Sequence, residues 1–228
     1  MTPFELTEWP CPASGGGTRD ELALTFDRRR DRRLVVLPAW FDEANKLRRQ
    51  TVEVMRQLDG SGIDSVLPDF PGTNESRAKL EDQTLDGWRA AAAAAAGHFR
   101  ATHVLTIRAG SLLAPQGLPG WRYAPIGGRQ VMRAMLRART IAAKEAGAAE
   151  RTEDLQAAAR REGIDLAGWR LGAEMFAALE SAEPDTALSE IEQASLGGPG
   201  LWLRAEPGDD AAQAGALAAA VAGGIGAA

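Results

Sequence analysis

The sequence predicts an α/β fold, a three-layer sandwich in which helices cover both faces of a mainly parallel central sheet. The short apolar run at residues 34–37 is typical of a strand that is buried on both faces, and residues 64–67 and 103–107 predict two further strands of this kind. Helix-forming segments separate these runs at the spacing of βαβ units, which favours parallel strands joined by right-handed crossovers. The chain has 228 residues, of which 45% are hydrophobic and 25% charged, so it can bury a sizeable core.

The other elements follow from caps, chain breakers and periodicity. Residues 1–20 contain three consecutive glycines and predict a strand and turn with a flexible loop. Alternation over residues 21–26 predicts a strand with one exposed face, and Thr84 is suited to be a helix N-cap. Two later strands are predicted at residues 123–126 and 201–205. The predicted helices cover residues 45–58, 85–99, 127–150, 153–161 and 173–182, a short turn after residue 108, and the alanine-rich tail.

Length and composition limit the number of domains, the classes of partner and the cellular location that we expect. We expect a single domain over residues 1–228, with residues 1–20 and 208–228 loosely ordered. The net charge of −5 argues against a nucleic-acid partner, which would favour a basic protein. The single cysteine, Cys11, allows no disulfide framework. The N-terminus lacks a signal-peptide pattern and no long apolar run predicts a transmembrane segment, so we expect a cytoplasmic protein.

The run at residues 103–107 leads into a pattern that has chemical meaning. In a nucleophile elbow, G-x-S-x-G, a strained turn between a strand and a helix lifts a serine hydroxyl above the sheet of an α/β-hydrolase fold. Here the five positions are Thr106, Ile107, Arg108, Ala109 and Gly110. A guanidinium stays protonated and cannot act as a nucleophile. The sequence therefore predicts an α/β-hydrolase-like domain whose nucleophile position holds arginine.

The histidines lead to the same interpretation. A Ser-His-Asp triad in this fold follows the chain order nucleophile, acid, histidine. The two histidines, His98 and His103, both precede Arg108. We interpret His98 as the end of a helix and His103 as the start of a strand. Together with the remote Cys11 they show no metal-ligand spacing, so we expect neither a metal site nor a cofactor.

Polar side chains follow the predicted strands at the edge where open α/β sheets bind ligands. A buried Arg108 would need a carboxylate partner, because an unpaired buried charge is costly. Asp42, Glu43 or Asp69 would supply one, although Asp42 and Glu43 are equally suited to the N-terminus of a helix. The candidate ligand-binding residues are Phe41, Asp42, Glu43, Asn45, Lys46, Asp69, Thr73 and Arg108.

Residues 34–49, LVVLPAWFDEANKLRR, resemble the opening signature of the α/β-hydrolase-like proteins that are encoded with bacterial exosortase A systems. Those systems accompany exopolysaccharide export and PEP-CTERM protein sorting. Residues 67–76 and 123–129 are similar to two further blocks of that family, and the resemblance covers about residues 33–142, more loosely 163–206. One subgroup of the family often carries arginine at the elbow, as at Arg108. The resemblance thus implies the fold and does not imply hydrolysis.

Two functions follow as hypotheses. The first is an accessory protein of an exosortase-linked or exopolysaccharide-linked pathway, which lacks Ser-His-Asp hydrolysis and binds a protein partner or a small anionic ligand. The second is an esterase, thioesterase or acyltransferase with a non-standard nucleophile. For the second, the weak catalytic candidates are Ser111, Ser76 or Thr73 as nucleophile and Asp69 or Glu43 as base.

A row of arginines stands apart from these candidates. Arg129, Arg133 and Arg137 are four residues apart and share one face of a predicted helix. The pattern is typical of a solvated helix face. A docking stripe for an acidic partner or a polysaccharide is the alternative.

Overall fold

The computed structural model describes residues 4–148 and 150–227, and its centre is a seven-stranded sheet with the order β1-β2-β4-β3-β5-β6-β9. A separate two-stranded hairpin joins β7 and β8. The strands are β1 Glu5–Pro12, β2 Thr18–Phe26, β3 Arg33–Leu37, β4 Asp64–Pro68, β5 His103–Ile107, β6 Gly120–Tyr123, β7 Ile164–Leu166, β8 Trp169–Leu171 and β9 Ser189–Ile191.

The sheet is mainly parallel. β4, β3, β5, β6 and β9 run in one direction, and β1 and β2 form an antiparallel extension beside β4. The central strands are buried along nearly their whole length, including Asp64 and Ser65 of β4 and Thr106 of β5. β1 and β9 lie at the two edges of the sheet.

Helices cover both faces of the sheet. They are α1 Phe41–Gly60, α2 Leu85–His98, α3 Gly128–Glu145, α4 Thr152–Glu162, α5 Ala173–Leu179, α6 Gln193–Leu196 and α7 Ala211–Ala227. One apolar cluster joins Met55 and Leu58 of α1 with Leu217 of α7. The other joins Trp88 of α2 with Phe176 of α5. The three-layer α/β fold predicted from the sequence is confirmed.

Local sequence sets several of these elements. The Thr84 side chain accepts a hydrogen bond from the backbone N–H of Gly87 at 2.9 Å and caps α2 as predicted. In α1 the apolar positions Val54, Met55 and Leu58 face the sheet. α1 begins at Phe41, four residues before its predicted start, with Asp42 and Glu43 in its first turn.

Two predicted strands are misplaced. The strand predicted at residues 123–126 is β6, Gly120–Tyr123, and it ends because Ala124 takes a positive φ of 44° and proline follows. The segment predicted as a strand at residues 201–205 contains the 3₁₀ turn Leu201–Leu203 instead. The helix predicted over residues 127–150 ends at Glu145.

Four short elements were not predicted: β7, β8, β9 and α6. Ala167 and Gly168 both have positive φ between β7 and β8, the pattern of a tight hairpin turn. β9 has three residues and only Ile191 is buried, so alternation in the sequence is too brief to mark it.

The two segments expected to be loosely ordered contain regular structure. β1 pairs with β2 from Glu5 to Pro12 and buries Trp9 and Cys11. α7 packs on α1, and the side chain of Gln50 accepts from and donates to the backbone of Asp210 at its start. Within the described residues, no helix combines the length and the apolar character needed to cross a membrane.

Candidate functional site

The chain makes a sharp, strained turn where β5 ends. Arg108 has a φ of 54°, which is rare for a residue with a side chain, and opens the 3₁₀ turn Arg108–Leu113. A Cβ on Gly110 would stand 2.6 Å from the carbonyl oxygen of Pro38 and closer still to that of Leu37. The turn therefore has the strain and the close glycine packing of a nucleophile elbow, with arginine at its tip.

The guanidinium of Arg108 is held on three sides. Its Nε and Nη2 donate to the two carboxylate oxygens of Glu43, each at 3.0 Å, and its Nη1 donates to the carbonyl oxygen of Ala124 at 2.9 Å. The ring of Trp202 lies 4.0 Å from the guanidinium carbon. The Arg108 side chain is 12% exposed and that of Glu43 is 26% exposed. This is a partly buried, bidentate ion pair of the strong type.

The residues around this pair form a polar and aromatic surround. Ala124, whose carbonyl oxygen accepts from Arg108, has a positive φ of 44°. The Tyr123 hydroxyl donates to the side chain of Gln193, and its ring meets that of Trp202 edge-on. Burial raises the pKa of Tyr123 to about 12 although the charge of Arg108 opposes the shift. Tyr123 therefore stays protonated near neutral pH and acts as a hydrogen-bond donor.

Asp69 lies at the end of β4 with partners of its own. Its carboxylate accepts from Asn74 at 2.5 Å and from Arg48 at 3.3 Å. Burial raises the pKa of Asp69, while the charge of Arg48 and the Asn74 hydrogen bond oppose the rise. Of the three carboxylates considered for Arg108, Glu43 is the one it binds.

The candidate hydroxyl groups are engaged in local structure. Ser111 is buried and donates to the carbonyl oxygen of Arg108 at 2.7 Å. Thr73 donates to the carbonyl oxygen of Phe70 at 2.8 Å and accepts from the backbone N–H of the same residue. These bonds hold each hydroxyl within its own turn.

Ser76 has a different environment. Its hydroxyl donates to the buried carboxylate of Glu21 at 2.8 Å and accepts from the backbone N–H groups of Gly72 and Ala78 at 3.0 and 3.1 Å. Burial raises the pKa of Glu21, and the Ser76 hydrogen bond opposes the rise. Both lone pairs of the hydroxyl oxygen accept hydrogen bonds, so the group is placed to stabilise a turn.

Phe41 belongs to an aromatic cleft beside the elbow. It is buried at a φ of 55°, and its ring centroid lies 5.5 Å from that of Trp169. The cleft has a volume of about 30 Å³, room for about one water molecule. Within the described residues, the indole N–H of Trp40 in this cleft is buried and has no hydrogen-bond partner. The aromatic residues of the cleft are Trp40, Phe41, Phe70, Trp88 and Trp169.

The remaining candidates lie away from the arginine. Asp42 is exposed and pairs with Lys46 at 2.8 Å one helical turn further on, and Asn45 is exposed. The structure thus brings together Arg108 and Glu43, while Asp42 and Lys46 form a separate surface pair. Trp202 was not predicted as a site residue, because it lies 94 positions after Arg108 and no spacing connects them.

Both histidines precede the elbow in the chain, and within the described residues neither forms a hydrogen bond with Arg108 or Glu43. His103 begins β5 and stacks on Trp121, and His98 ends α2. Burial lowers the pKa of His103, and the charge of Arg32 adds to the shift. Over residues 4–148 and 150–227, no cluster of His, Cys, Asp and Glu side chains is arranged to hold a metal ion.

The sheet order, its antiparallel extension, the two helical layers and the strained elbow define an α/β-hydrolase fold. Similar solved structures include α/β hydrolase GrgF from Penicillium sp. sh18, with 15% identity, a TM-score of 0.48, and coverage of 79% of this chain and 73% of that one. Est1E from Butyrivibrio proteoclasticus, whose structure has bound ferulic acid, gives 14% identity, a TM-score of 0.48, and coverage of 83% of this chain and 86% of that one.

A third similar structure, described as a hydrolase from Agrobacterium vitis S4, has 17% identity and a TM-score of 0.46. The match covers 62% of this chain and 61% of that protein, so the chain spans less than two thirds of its length. No protein-family model matches the chain, and no curated protein sequence matches it. Likenesses at this distance carry no argument about activity.

Proposed function

We propose that this chain is a non-hydrolytic accessory protein with an α/β-hydrolase fold, and that it binds a partner or ligand without turning it over. The observation that carries the proposal is the bidentate pair between Arg108 and Glu43 at the elbow tip. The pair occupies the position where a nucleophile would stand and uses the carboxylate that a base would need. The side chain at this tip is therefore not a nucleophile, and covalent catalysis does not start from it.

The surroundings of the pair support the same proposal. A serine hydrolase needs a base within hydrogen-bond reach of the nucleophile and space for the acyl group. Ser111 is turned back onto the carbonyl of Arg108, and the neighbouring aromatic cleft has a volume of only about 30 Å³. An acyl chain does not fit that space.

Binding at the elbow remains chemically reasonable. Arg108 makes three hydrogen bonds with the described residues, and a guanidinium has five N–H groups. The remaining donors suit a small ligand with acceptor oxygens, including an anion. The resemblance to proteins encoded with exosortase A systems supports placing such a role in an exopolysaccharide-linked pathway.

The test is hydrolysis of a panel of p-nitrophenyl acyl esters and acyl thioesters. We expect the wild type to be no faster than buffer. Arg108→Ser is expected to remain inactive because no histidine follows the elbow in the sequence, and because Glu43 contacts the end of the arginine side chain, which is much longer than that of serine. Ser111→Ala serves as the matched variant for a displaced nucleophile. Turnover by the wild type that disappears in Ser111→Ala would overturn the proposal. Turnover gained by Arg108→Ser would show that a base is within reach of the tip.

One observation favours the alternative of an esterase or acyltransferase with an unusual nucleophile. Ser76 donates to Glu21, a buried carboxylate whose raised pKa makes it a better base than a solvated one. Labelling with a fluorophosphonate, followed by peptide mapping, tests this pair directly. We expect no label on Ser76, because backbone N–H groups occupy its lone pairs. A label that is lost in Ser76→Ala would establish the alternative.

A further inference from the structure

A second recess lies outside the elbow, between α3, α4 and α5. We call it the α3 cleft. Its volume is about 490 Å³, within the range of about 300–1,000 Å³ that is typical of small-molecule sites. The residues that line it are Arg129, Met132, Arg133, Leu136, Arg137, Thr140, Thr152, Gln156, Phe176 and Glu180.

The floor of the α3 cleft is apolar. Met132, Leu136 and Phe176 are all buried and belong to the larger apolar cluster of the protein. Thr140, on α3, and Gln156, on α4, add polar groups to the lining. A ligand that fits this surface needs an apolar part of limited size.

The α3 side of the cleft is strongly basic. Arg129, Arg133 and Arg137 are each one helical turn apart, so consecutive guanidinium groups rise by about 6 Å along the axis. Arg133 and Arg137 are exposed, and neither forms an ion pair with any residue that the structure describes. The guanidinium groups of Arg133 and Arg137 are therefore not neutralised by any carboxylate among the described residues.

Glu180, the acidic residue among the described residues of the lining, does not cancel this charge. Glu180 is held by Arg160 through two hydrogen bonds of 2.8 and 2.6 Å, and this contact lowers the pKa of its carboxyl. Arg129 donates to the backbone carbonyl of Glu180 at 3.4 Å. The cleft is thus locally positive although the net charge of the whole chain is −5.

We propose that the α3 cleft binds an amphipathic organic anion. Its phosphate, carboxylate or sulfonate group lies between Arg133 and Arg137, and its apolar part packs on Met132 and Leu136, which Phe176 supports from beneath. A guanidinium matches the geometry of such oxyanions, and two of them one turn apart suit a group with several acceptor oxygens. The recess favours a small molecule over an acidic helix, which would need a long open groove. This inference concerns a different site from the elbow and does not depend on the absence of hydrolysis.

The test uses two fluorescent dyes of nearly the same shape. One is 8-anilinonaphthalene-1-sulfonate, an amphipathic anion, and the other is its neutral analogue N-phenyl-1-naphthylamine. We expect saturable binding of the sulfonate, tighter than that of the neutral dye and weakened by salt. The double variant Arg133→Gln/Arg137→Gln is expected to bind the sulfonate about five- to tenfold more weakly, with little effect on the neutral dye.

The matched control removes two other exposed arginines that form no ion pair among the described residues, Arg32 and Arg77. The double variant Arg32→Gln/Arg77→Gln has the same net charge as Arg133→Gln/Arg137→Gln. It is expected to bind the sulfonate as tightly as the wild type does. Thermal unfolding of all three proteins checks that each is folded. The proposal is overturned if the wild type binds the sulfonate no better than the neutral dye. Equal weakening in the two double variants, or none in the first, overturns it as well.

Discussion

Arg108 combines two features that are each unfavourable alone. A positive φ costs on the order of 1 kcal/mol for a residue with a Cβ, and a partly buried guanidinium loses hydration. Glu43 offsets the second cost through a bidentate contact, and Trp202 covers the outer face of the group. Glu43, the carbonyl of Ala124 and the ring of Trp202 thus contact the guanidinium from three separate parts of the chain.

The contribution of this pair is measurable by a double-mutant cycle. We expect Arg108→Met and Glu43→Gln each to reduce the free energy of unfolding by about 1–3 kcal/mol, because each leaves a partly buried group unpaired. The coupling energy between the two changes is expected to be about 1–2 kcal/mol. Urea unfolding at neutral pH gives all four free energies.

The matched control is the surface pair between Asp42 and Lys46, in which the Asp42 side chain is 73% exposed. The corresponding cycle, Asp42→Asn with Lys46→Met, is expected to give no more than about 0.5 kcal/mol of coupling. Equal coupling in the two cycles would contradict a special role for the elbow pair.

Glu21 makes the stability depend on pH in a direction opposite to that of most carboxylates. Burial raises its pKa in the folded protein above the ordinary value of 4.5. The folded state then binds the proton more tightly than the unfolded state, so this contribution is fully present below pH 4.5 and is lost as the pH rises through the folded pKa. We expect the stability of the wild type relative to Glu21→Gln to fall as the pH rises from about 4 to 7. Urea unfolding across that range measures it, and a relative stability that rises with pH would contradict the assignment.

The sequence indicates which kinds of residue meet at the elbow but not which partners they choose. Arg108 and the need for a carboxylate follow from the motif and from the cost of a buried charge. Asp42 and Glu43 are adjacent in the chain, so only the rotation of α1 decides that Glu43 faces the arginine and Asp42 the solvent. That rotation depends on how α1 packs on the sheet, which no local pattern encodes.

The elbow is held by backbone packing. Gly110 lies against the carbonyl oxygens of Leu37, the last residue of β3, and of Pro38, which follows it. We expect Gly110→Ala to lower the free energy of unfolding by about 1–3 kcal/mol because its Cβ overlaps the backbone. Gly97→Ala is the matched control, since Gly97 lies in α2 with no atom within 4 Å of an added Cβ.

Gly97→Ala is expected to raise the free energy of unfolding by about 0.5–1 kcal/mol, because alanine is the better helix former. Thermal unfolding of both variants compares them directly. If Gly110→Ala proved as stable as the wild type, the close approach of the turn to β3 would be incorrect.

Long, strongly patterned elements were predictable and short ones were not. The buried runs of β3, β4 and β5, and the capped helix α2, follow from composition and periodicity. The segment at 201–205 was misassigned because Leu201 and Leu203 alternate like strand residues, whereas Leu203 is exposed and Trp202 turns onto the arginine. In such a segment a tertiary contact outweighs local propensity.

α7 ties the C-terminal part of the described chain to the first crossover helix. Leu217 is buried in the cluster that it shares with α1. We expect Leu217→Ala to lower the free energy of unfolding by about 2–5 kcal/mol and to leave a single unfolding transition, because α7 and the sheet share one cluster. Ala220→Ser, on the exposed face of α7, is the control and is expected to cost about 0.5 kcal/mol. Circular dichroism during urea unfolding distinguishes a single transition from separate melting of α7.

The position of β1 at one edge of the sheet has a consequence for how the protein behaves when it is concentrated. An open strand edge is a template onto which another chain can add, and Leu6 on this strand is exposed. Pro10 and Pro12 interrupt that template because proline has no N–H to donate. At the opposite edge β9 is only three residues long. We therefore expect both edges of the described sheet to disfavour growth into fibrils, one because prolines interrupt its strand and the other because its strand is short.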